Sequence, residues 1–177
     1  MFMSIPASVE TFPVRAWADI ADSIDGYLNL RSGLVGIALI DIDHFFELSR
    51  QIIAQTGGTA DLIAAVTDRL ADLVGPTTVG ARVGDDTFAF VRHPLTEPAE
   101  MEGTGLRIVD VFHDPVTVGH RRYQFTVSVG VATSHHGDSA KSLVHYAQYA
   151  LDDAKATGRN RMIAFADEDR ELLEDVD

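Results

Sequence analysis

Apolar residues recur along this chain at two spacings, helical and strand-like, and the two kinds of segment interleave from one end to the other. In AWADIADSIDGYLNL, Ala16 to Leu30, the positions Trp17, Ile20, Ile24 and Tyr27/Leu28 predict a helix, which Gly33 closes. LVGIALIDID, Leu34 to Asp43, is almost continuously apolar and ends on two aspartates. It predicts a buried central strand with charge at its C-terminal end. HFFELSRQIIAQ predicts a second helix, broken at Gly57-Gly58. From Asp61 to Val74, the residues Leu62, Ile63, Val66, Leu70 and Leu73 share one face of an amphipathic helix that Gly75-Pro76 stops.

Two short strands follow, about Val79 to Val83 and Thr87 to Val91, around a turn built from Gly84, Asp85 and Asp86. HPLTEPAEMEGTG reads as a loop rich in proline, glycine and acid; Leu106 to Phe112 suits either a strand or, the favoured reading, the end of a helix beginning near Ala99. VTVGHRRYQFTVSVGVATS predicts a hairpin that turns at Gly119-His120, its second arm alternating as one long strand from Tyr123 to Thr133. Ser139 to Ala156 is a helix with Leu143, Ala147, Ala150/Leu151 and Ala154 on its buried side. Gly158 suits the residue after its end. Met162 to Phe165 is the last strand. This order predicts a single α/β domain with one mainly antiparallel sheet flanked by helices. Residues 1–11 form an N-terminal extension and residues 12–166 the domain. Residues 167–177, DEDRELLEDVD, make an acidic tail read as solvated.

Composition narrows the function. At 177 residues the chain suits one domain and can bury a real core. That length leaves no room for a sensor or output domain, so regulation would come from a partner in trans. No apolar run is long enough to cross a membrane, and the start MFMSIPASVETFP lacks the pattern of a secretory signal. The absence of cysteine excludes disulfides, thiolate metal sites and cysteine nucleophiles, and fits a reducing cytoplasm. A formal net charge of -13 disfavours nucleic acid and anionic membrane surfaces as partners.

The chemistry concentrates at two places. Asp41 ends the first buried strand, where a charge is expensive unless solvated, paired or bound to metal. Asp85 and Asp86 sit in GARVGDDTFAFVR, between two apolar strands. Gly-Asp is also good hairpin chemistry, and from these residues alone an ordinary turn is the simpler reading. If the two strand ends converge, their carboxylates can hold Mg²⁺ together with triphosphate oxygens, which is what nucleotidyl transfer needs.

From roughly Phe12 to Phe165 the chain resembles the GGDEF domain family, the diguanylate cyclases. The segments that carry the likeness are FPVRAW, LIDIDHF (Leu39 to Phe45), ARVGDDTFAF (Ala81 to Phe90), and TVSVGVA with ALDDAKATGRNR. The resemblance implies a palm-like sheet of the nucleotidyl cyclase type. In active members it implies condensation of two GTP into cyclic di-GMP across a two-fold dimer. It also implies Asp41, Ile42 (through its carbonyl), Asp86 and Asp85 as metal ligands. Gly84, Asp85, Phe45, Ser49, Lys155 and Arg159 become nucleotide contacts, with Lys155 and Arg159 at the terminal phosphate. On their own, those two cations could equally complement a helix dipole.

The signature departs from the family where chemistry is done. Aligned without gaps, Asp85 replaces the second glycine, Asp86 keeps the acid and Thr87 replaces the glutamate. A shifted register would place Asp85-Asp86 on the acid pair, but needs Thr87 as an insertion. Phe46 stands at the lysine position, Ser49 at the guanine-reading asparagine, and Arg50 at its acidic neighbour; the later aspartate is either replaced or displaced to Asp61 by a short insertion. Losing those hydrogen bonds predicts poor discrimination of guanine. Gly75 and Thr78 fall on the family's inhibitory arginine and aspartate, so no product-inhibition site is expected. His135-His136 reads as an exposed loop, His44 as packing or as support behind the metal ligands, and Phe45, Phe88 and Phe90 as core. Two functions stay open. One is a catalytically impaired nucleotide-binding or dimerisation module, acting as a homodimer or on a protein partner. The other is an active Mg²⁺-dependent cyclase using GTP or another nucleoside triphosphate.

Overall fold

The computed structural model describes residue 13 and residues 15–170. Seven strands and five α-helices alternate in it. In chain order they are α1 (Trp17–Leu30), β1 (Leu34–Ile42), α2 (Phe45–Thr56), α3 (Ala60–Ala71), β2 (Thr78–Arg82), β3 (Thr87–Leu95), α4 (Ala99–Val111), β4 (Val116–Val118), β5 (Arg121–Tyr123), β6 (Val127–Thr133), α5 (Ala140–Ala156) and β7 (Met162–Ala164). Five strands make one sheet in the order β2-β3-β1-β6-β7. Only the β6–β7 pair is parallel. The predicted α/β class with one mainly antiparallel, helix-flanked sheet is the observed one.

β1 lies at the centre of the sheet because both of its faces are apolar. Ala38, Ile40 and Ile42 pack into a cluster with Leu48 and Ile52 of α2, Leu62, Val66 and Leu70 of α3, and Met101 and Ile108 of α4. The alternate residues Val35, Ile37 and Leu39 face Ile20 and Ile24 of α1 and Leu143, Ala147 and Leu151 of α5. A strand covered on both sides must read as a continuous apolar run, and this one does until Asp41. The fifth helix begins on a capping box, Ser139 and Ser142 exchanging side-chain and backbone bonds. Its first amide, Ala140 N–H, also donates to Asp25 of α1 at 2.9 Å.

Three expectations need correction. The stretch from Tyr123 to Thr133 is not one strand: β4 and β5 form a separate two-stranded sheet, and β6 starts only at Val127. The alternation continues through residues 124–126, but there the Thr126 carbonyl accepts from Asp43 N–H instead of a hairpin partner. The small hairpin is tied to the helices by Tyr123 Oη, which donates to Gln55 at 2.8 Å. Arg69 braces the loop before it by donating to the carbonyls of Val111, Asp114 and Pro115. Second, His93 to Leu95 extends β3 instead of opening a loop. β2 pairs with β3 only as far as Arg92, so Pro94 lies beyond that edge and its missing N–H disrupts no ladder there. Third, the start of the acidic tail is packed. Arg170 makes two bonds to Asp138, donates to Asp167 and the Thr133 carbonyl, and stacks on Tyr146. Expectations for residues 1–12, 14 and 171–177 lie outside the described residues.

Candidate functional site

The ends of β1 and β3 meet at one edge of the sheet. Asp41 lies opposite Thr87 across this pair, and Ile42 N–H donates to the Asp86 carbonyl at 3.2 Å. The pairing of β1 with β3 runs residue for residue from Asp41 to Ile37, with no bulge at Thr87. In the turn, Gly84 and Asp85 are exposed while Asp86 and Thr87 are half-buried. The Thr87 carbonyl takes both Val83 N–H and Gly84 N–H, and the Thr87 hydroxyl donates to Asp86 at 3.3 Å. Neither Gly84 nor Asp85 has a positive φ. An aspartate therefore fits the backbone at the second turn position without strain; what it changes is bulk and charge.

The turn is tied from behind by Arg82, a residue with no assigned role in the sequence reading. Its guanidinium donates to the Asp85 carbonyl at 2.8 Å. Its backbone pairs on both sides with the segment before α1: Arg82 N–H to the Pro13 carbonyl, and Arg15 N–H to the Arg82 carbonyl.

Lys155 reaches the same place from α5. Its ammonium is 2.8 Å from an Asp41 carboxylate oxygen, in a pair whose side chains are only 31% and 13% exposed. Burial pushes the Asp41 carboxyl above the usual carboxylate range. Lys155 opposes this by hydrogen bond and charge, while the neighbouring charges of Asp86 and Asp43 add to the upward push. A carboxyl with a raised folded pKa binds more protons folded than unfolded between the two values, so its contribution to stability falls as pH rises through that window. Asp41→Asn is therefore expected to melt higher than the parent at neutral pH, the difference closing toward about pH 4. Thermal melts at the two pH values check this; a lower melting temperature at neutral pH would mean that the Lys155 pair outweighs desolvation.

The oxygen donors here fit one hard divalent cation: the Asp41 and Asp86 carboxylates, whose repulsion a cation would relieve as Lys155 does now. Among the described residues no group of three or more His, Asp or Glu side chains is gathered as a metal cage. The pair thus suits a metal whose remaining ligands arrive on a triphosphate.

The other expected contacts divide. Phe45 is half-buried against the core cluster, and Phe88 and Phe90 are fully buried within it. Ser49 is buried, and its hydroxyl donates to the Phe46 carbonyl of its own helix at 2.9 Å. Phe46 is 67% exposed, with the Arg50 guanidinium over its ring. His44 is exposed, at φ 55 before α2, which corrects the expectation that it packs. His135 and His136 are both exposed as expected, and His135 pairs with Asp167 at 3.0 Å. Arg159 lies exposed in the turn after α5.

Asp43 carries more than the sequence suggests. It is 3% exposed and accepts from the Thr126 hydroxyl and the Ser128 hydroxyl at 2.6 Å each, and from Asn160 N–H at 3.0 Å. The signal was its spacing of two from Asp41. Its partners lie too far along the chain for spacing to reveal them.

Comparison with known proteins gives the family and the fold. The family model described as "Diguanylate cyclase, GGDEF domain" matches residues 23–161. Response regulator PleD of Caulobacter vibrioides is 31% identical over 149 residues, which cover 82% of this chain and 32% of PleD. Diguanylate cyclase VdcA of Vibrio cholerae is 30% identical over 141 residues, 73% of this chain and 38% of VdcA. The chain thus spans about a third of the length of these curated relatives. Among solved structures, the GGDEF domain of PA1120 (YfiN or TpbB) from Pseudomonas aeruginosa superposes with a TM-score of 0.79. Its identity is 20%, covering 87% of this chain and 98% of that one, so the likeness is one of fold.

Proposed function

The chain belongs to the GGDEF family of diguanylate cyclase domains, and from that premise we propose that it is a catalytically impaired member. In this reading it works as a nucleotide-binding or dimerisation module in cyclic di-GMP signalling. The observation that carries it is Thr87 directly opposite Asp41, where the family's glutamate would supply a further carboxylate. A site one acid short, with Lys155 already neutralising Asp41, holds a second cation poorly. The base side is depleted too, since the Ser49 hydroxyl is spent on its own helix and no amide replaces it.

The phosphate side is better equipped. Lys155 of α5 pairs with Asp41 there, Asp86 lies at the adjoining turn, and in this reading the Ile42 carbonyl and Arg159 join them at the phosphates. A bound Mg²⁺ would supply Lewis acidity at the triphosphate oxygens and lower the pKa of an attacking hydroxyl. GTP or another nucleoside triphosphate would sit with its terminal phosphate toward Lys155. Cysteine-free composition suits a reducing cytoplasm and strong acidity disfavours nucleic acid; the module would act as a homodimer or on a protein partner. Among the described residues no helix is long and apolar enough to cross a membrane. The retained Asp41/Asp86 pair supports a second reading, an active Mg²⁺-dependent cyclase with altered base preference.

Isothermal titration with GTP and ATP in Mg²⁺, followed by mass spectrometry of the same samples, separates the two. Heat of binding without product is the expected result. A cyclic dinucleotide that disappears in Asp41→Asn would overturn the impaired reading, and its base would identify the substrate. Neither heat nor product would leave a scaffold without a nucleotide site.

A further inference from the structure

We infer that Asp43 is a positioning residue, whose buried carboxylate holds the Gly158–Asn160 turn in a strained conformation that presents Arg159 to the phosphate side of the site. Three consecutive residues in that turn have positive φ: Gly158 at 123°, Arg159 at 61° and Asn160 at 47°. Glycine adopts this backbone freely, but arginine and asparagine do so at a cost, and two in succession persist only where surrounding contacts impose them. Three hydrogen bonds do so here, one of them from the Arg161 guanidinium to the Arg159 carbonyl at 3.0 Å. Arg159 N–H donates to the Ala154 carbonyl at 2.9 Å, closing the end of α5. Asn160 N–H donates to Asp43 at 3.0 Å, reaching across 117 residues of chain.

Asp43 is itself rigidly placed. The Thr126 and Ser128 hydroxyls donate to its two oxygens at 2.6 Å, and its own N–H donates to the Thr126 carbonyl at 3.0 Å. Ser128 lies opposite Asp41 across the β1–β6 pair. One carboxylate therefore fixes the end of β1, the start of β6 and the turn after α5 as a unit. Asp41, in the site, and Asn160, beside Arg159, are each bound into that unit. Asp43 need not touch a ligand to act in this way.

The inference rests on the nucleotide-binding reading for its functional half, and the test separates the two. Affinities for GTP and GDP in Mg²⁺ would be measured by calorimetry on the full chain, the native protein beside Asp43→Ala and Asp43→Asn. Amide hydrogen exchange at Arg159 and Asn160 would be followed in parallel by NMR. Asp43→Ala is expected to accelerate exchange at Asn160 and to reduce the preference for GTP over GDP by about tenfold, the worth of one charge-assisted phosphate contact. Its GDP affinity should stay within about twofold of the native value. Asp43→Asn keeps an oxygen for Asn160 N–H and should retain most of the preference. Should Asp43→Ala not fold, Thr126→Val, which removes the hydroxyl bound to the same Asp43 oxygen as Asn160 N–H, should show a smaller loss in the same direction. Equal loss of affinity for both nucleotides, or an unchanged preference with the turn released, would overturn the inference. If the native protein binds neither nucleotide, the functional reading above fails instead. Exchange then decides: a turn still protected in Asp43→Ala refutes the role of Asp43, and a released one supports it.

Discussion

Gly130→Ala is expected to lower the melting temperature by about 10–15 °C, from a destabilisation of about 3–5 kcal/mol. Gly130 sits in β6 beneath α5, where a Cβ would fall 2.2 Å from the Ala147 carbonyl oxygen and 2.2 Å from the Leu151 nitrogen. Both are backbone atoms of a helix, so no rotamer can yield; the helix must lift off the sheet. Lifting it loosens Leu143, Ala147 and Leu151 from Ile37 and Leu39, all of them within one buried cluster. Against a total stability of about 5–15 kcal/mol, that is a large fraction. The same displacement would pull Lys155 from Asp41, so the variant should lose nucleotide affinity even where it remains folded. Gly26→Ala is the control. Gly26 lies inside α1 with nothing within 4 Å of a new Cβ, and should gain about 0.5–1 kcal/mol. Differential scanning calorimetry of the two variants checks the pair. A shift of only a degree or two for Gly130→Ala would mean that α5 does not pack against β6 at backbone contact.

How much of this was legible in the sequence follows from the range of the interactions involved. The central strand declared itself because burial on both faces leaves no polar position before Asp41. The fifth helix did so because Leu143, Ala147, Leu151 and Ala154 repeat at the helical period. Where the reading failed, a distant partner overrode a local pattern. The alternation through Gln124, Phe125 and Thr126 promises a continuous strand, but Thr126 is claimed by Asp43, 83 residues earlier. Pro94 reads as a strand breaker only if β2 is taken to run alongside it. The candidate site followed the same rule. Asp41 and Asp86 could be named singly, as charges at strand ends. That Thr87 faces Asp41, that Lys155 pairs with it, and that Asp43 ties down the turn beside Arg159 are all consequences of tertiary register.

That register makes Thr87→Glu the sharpest test of the site. A glutamate at 87 would start β3 opposite Asp41 and beside Asp86, placing three carboxylates at one sheet edge. Without metal, like charges facing each other across a strand pair should destabilise the protein by about 0.2–1 kcal/mol. With a divalent cation the same three charges become its ligands. Affinity for Mn²⁺, titrated by electron paramagnetic resonance, should rise at least about tenfold, the equivalent of roughly 1.4 kcal/mol. Added Mg²⁺ should then raise the melting temperature of the variant more than that of the parent. Lys155 limits the gain as long as it stays within 2.8 Å of Asp41, so a triphosphate that draws it away should increase metal affinity further. Adding Asp85→Gly removes an exposed negative charge from the phosphate approach and should improve triphosphate binding, with little effect on the metal alone. Cyclase activity need not follow, because in the proposed reading Ser49 stands in place of the family's guanine-reading asparagine. Mn²⁺ affinity unchanged by Thr87→Glu would sink the placement of the metal at Asp41 and Asp86, whereas a rise without cyclisation would locate the impairment on the base side of the site.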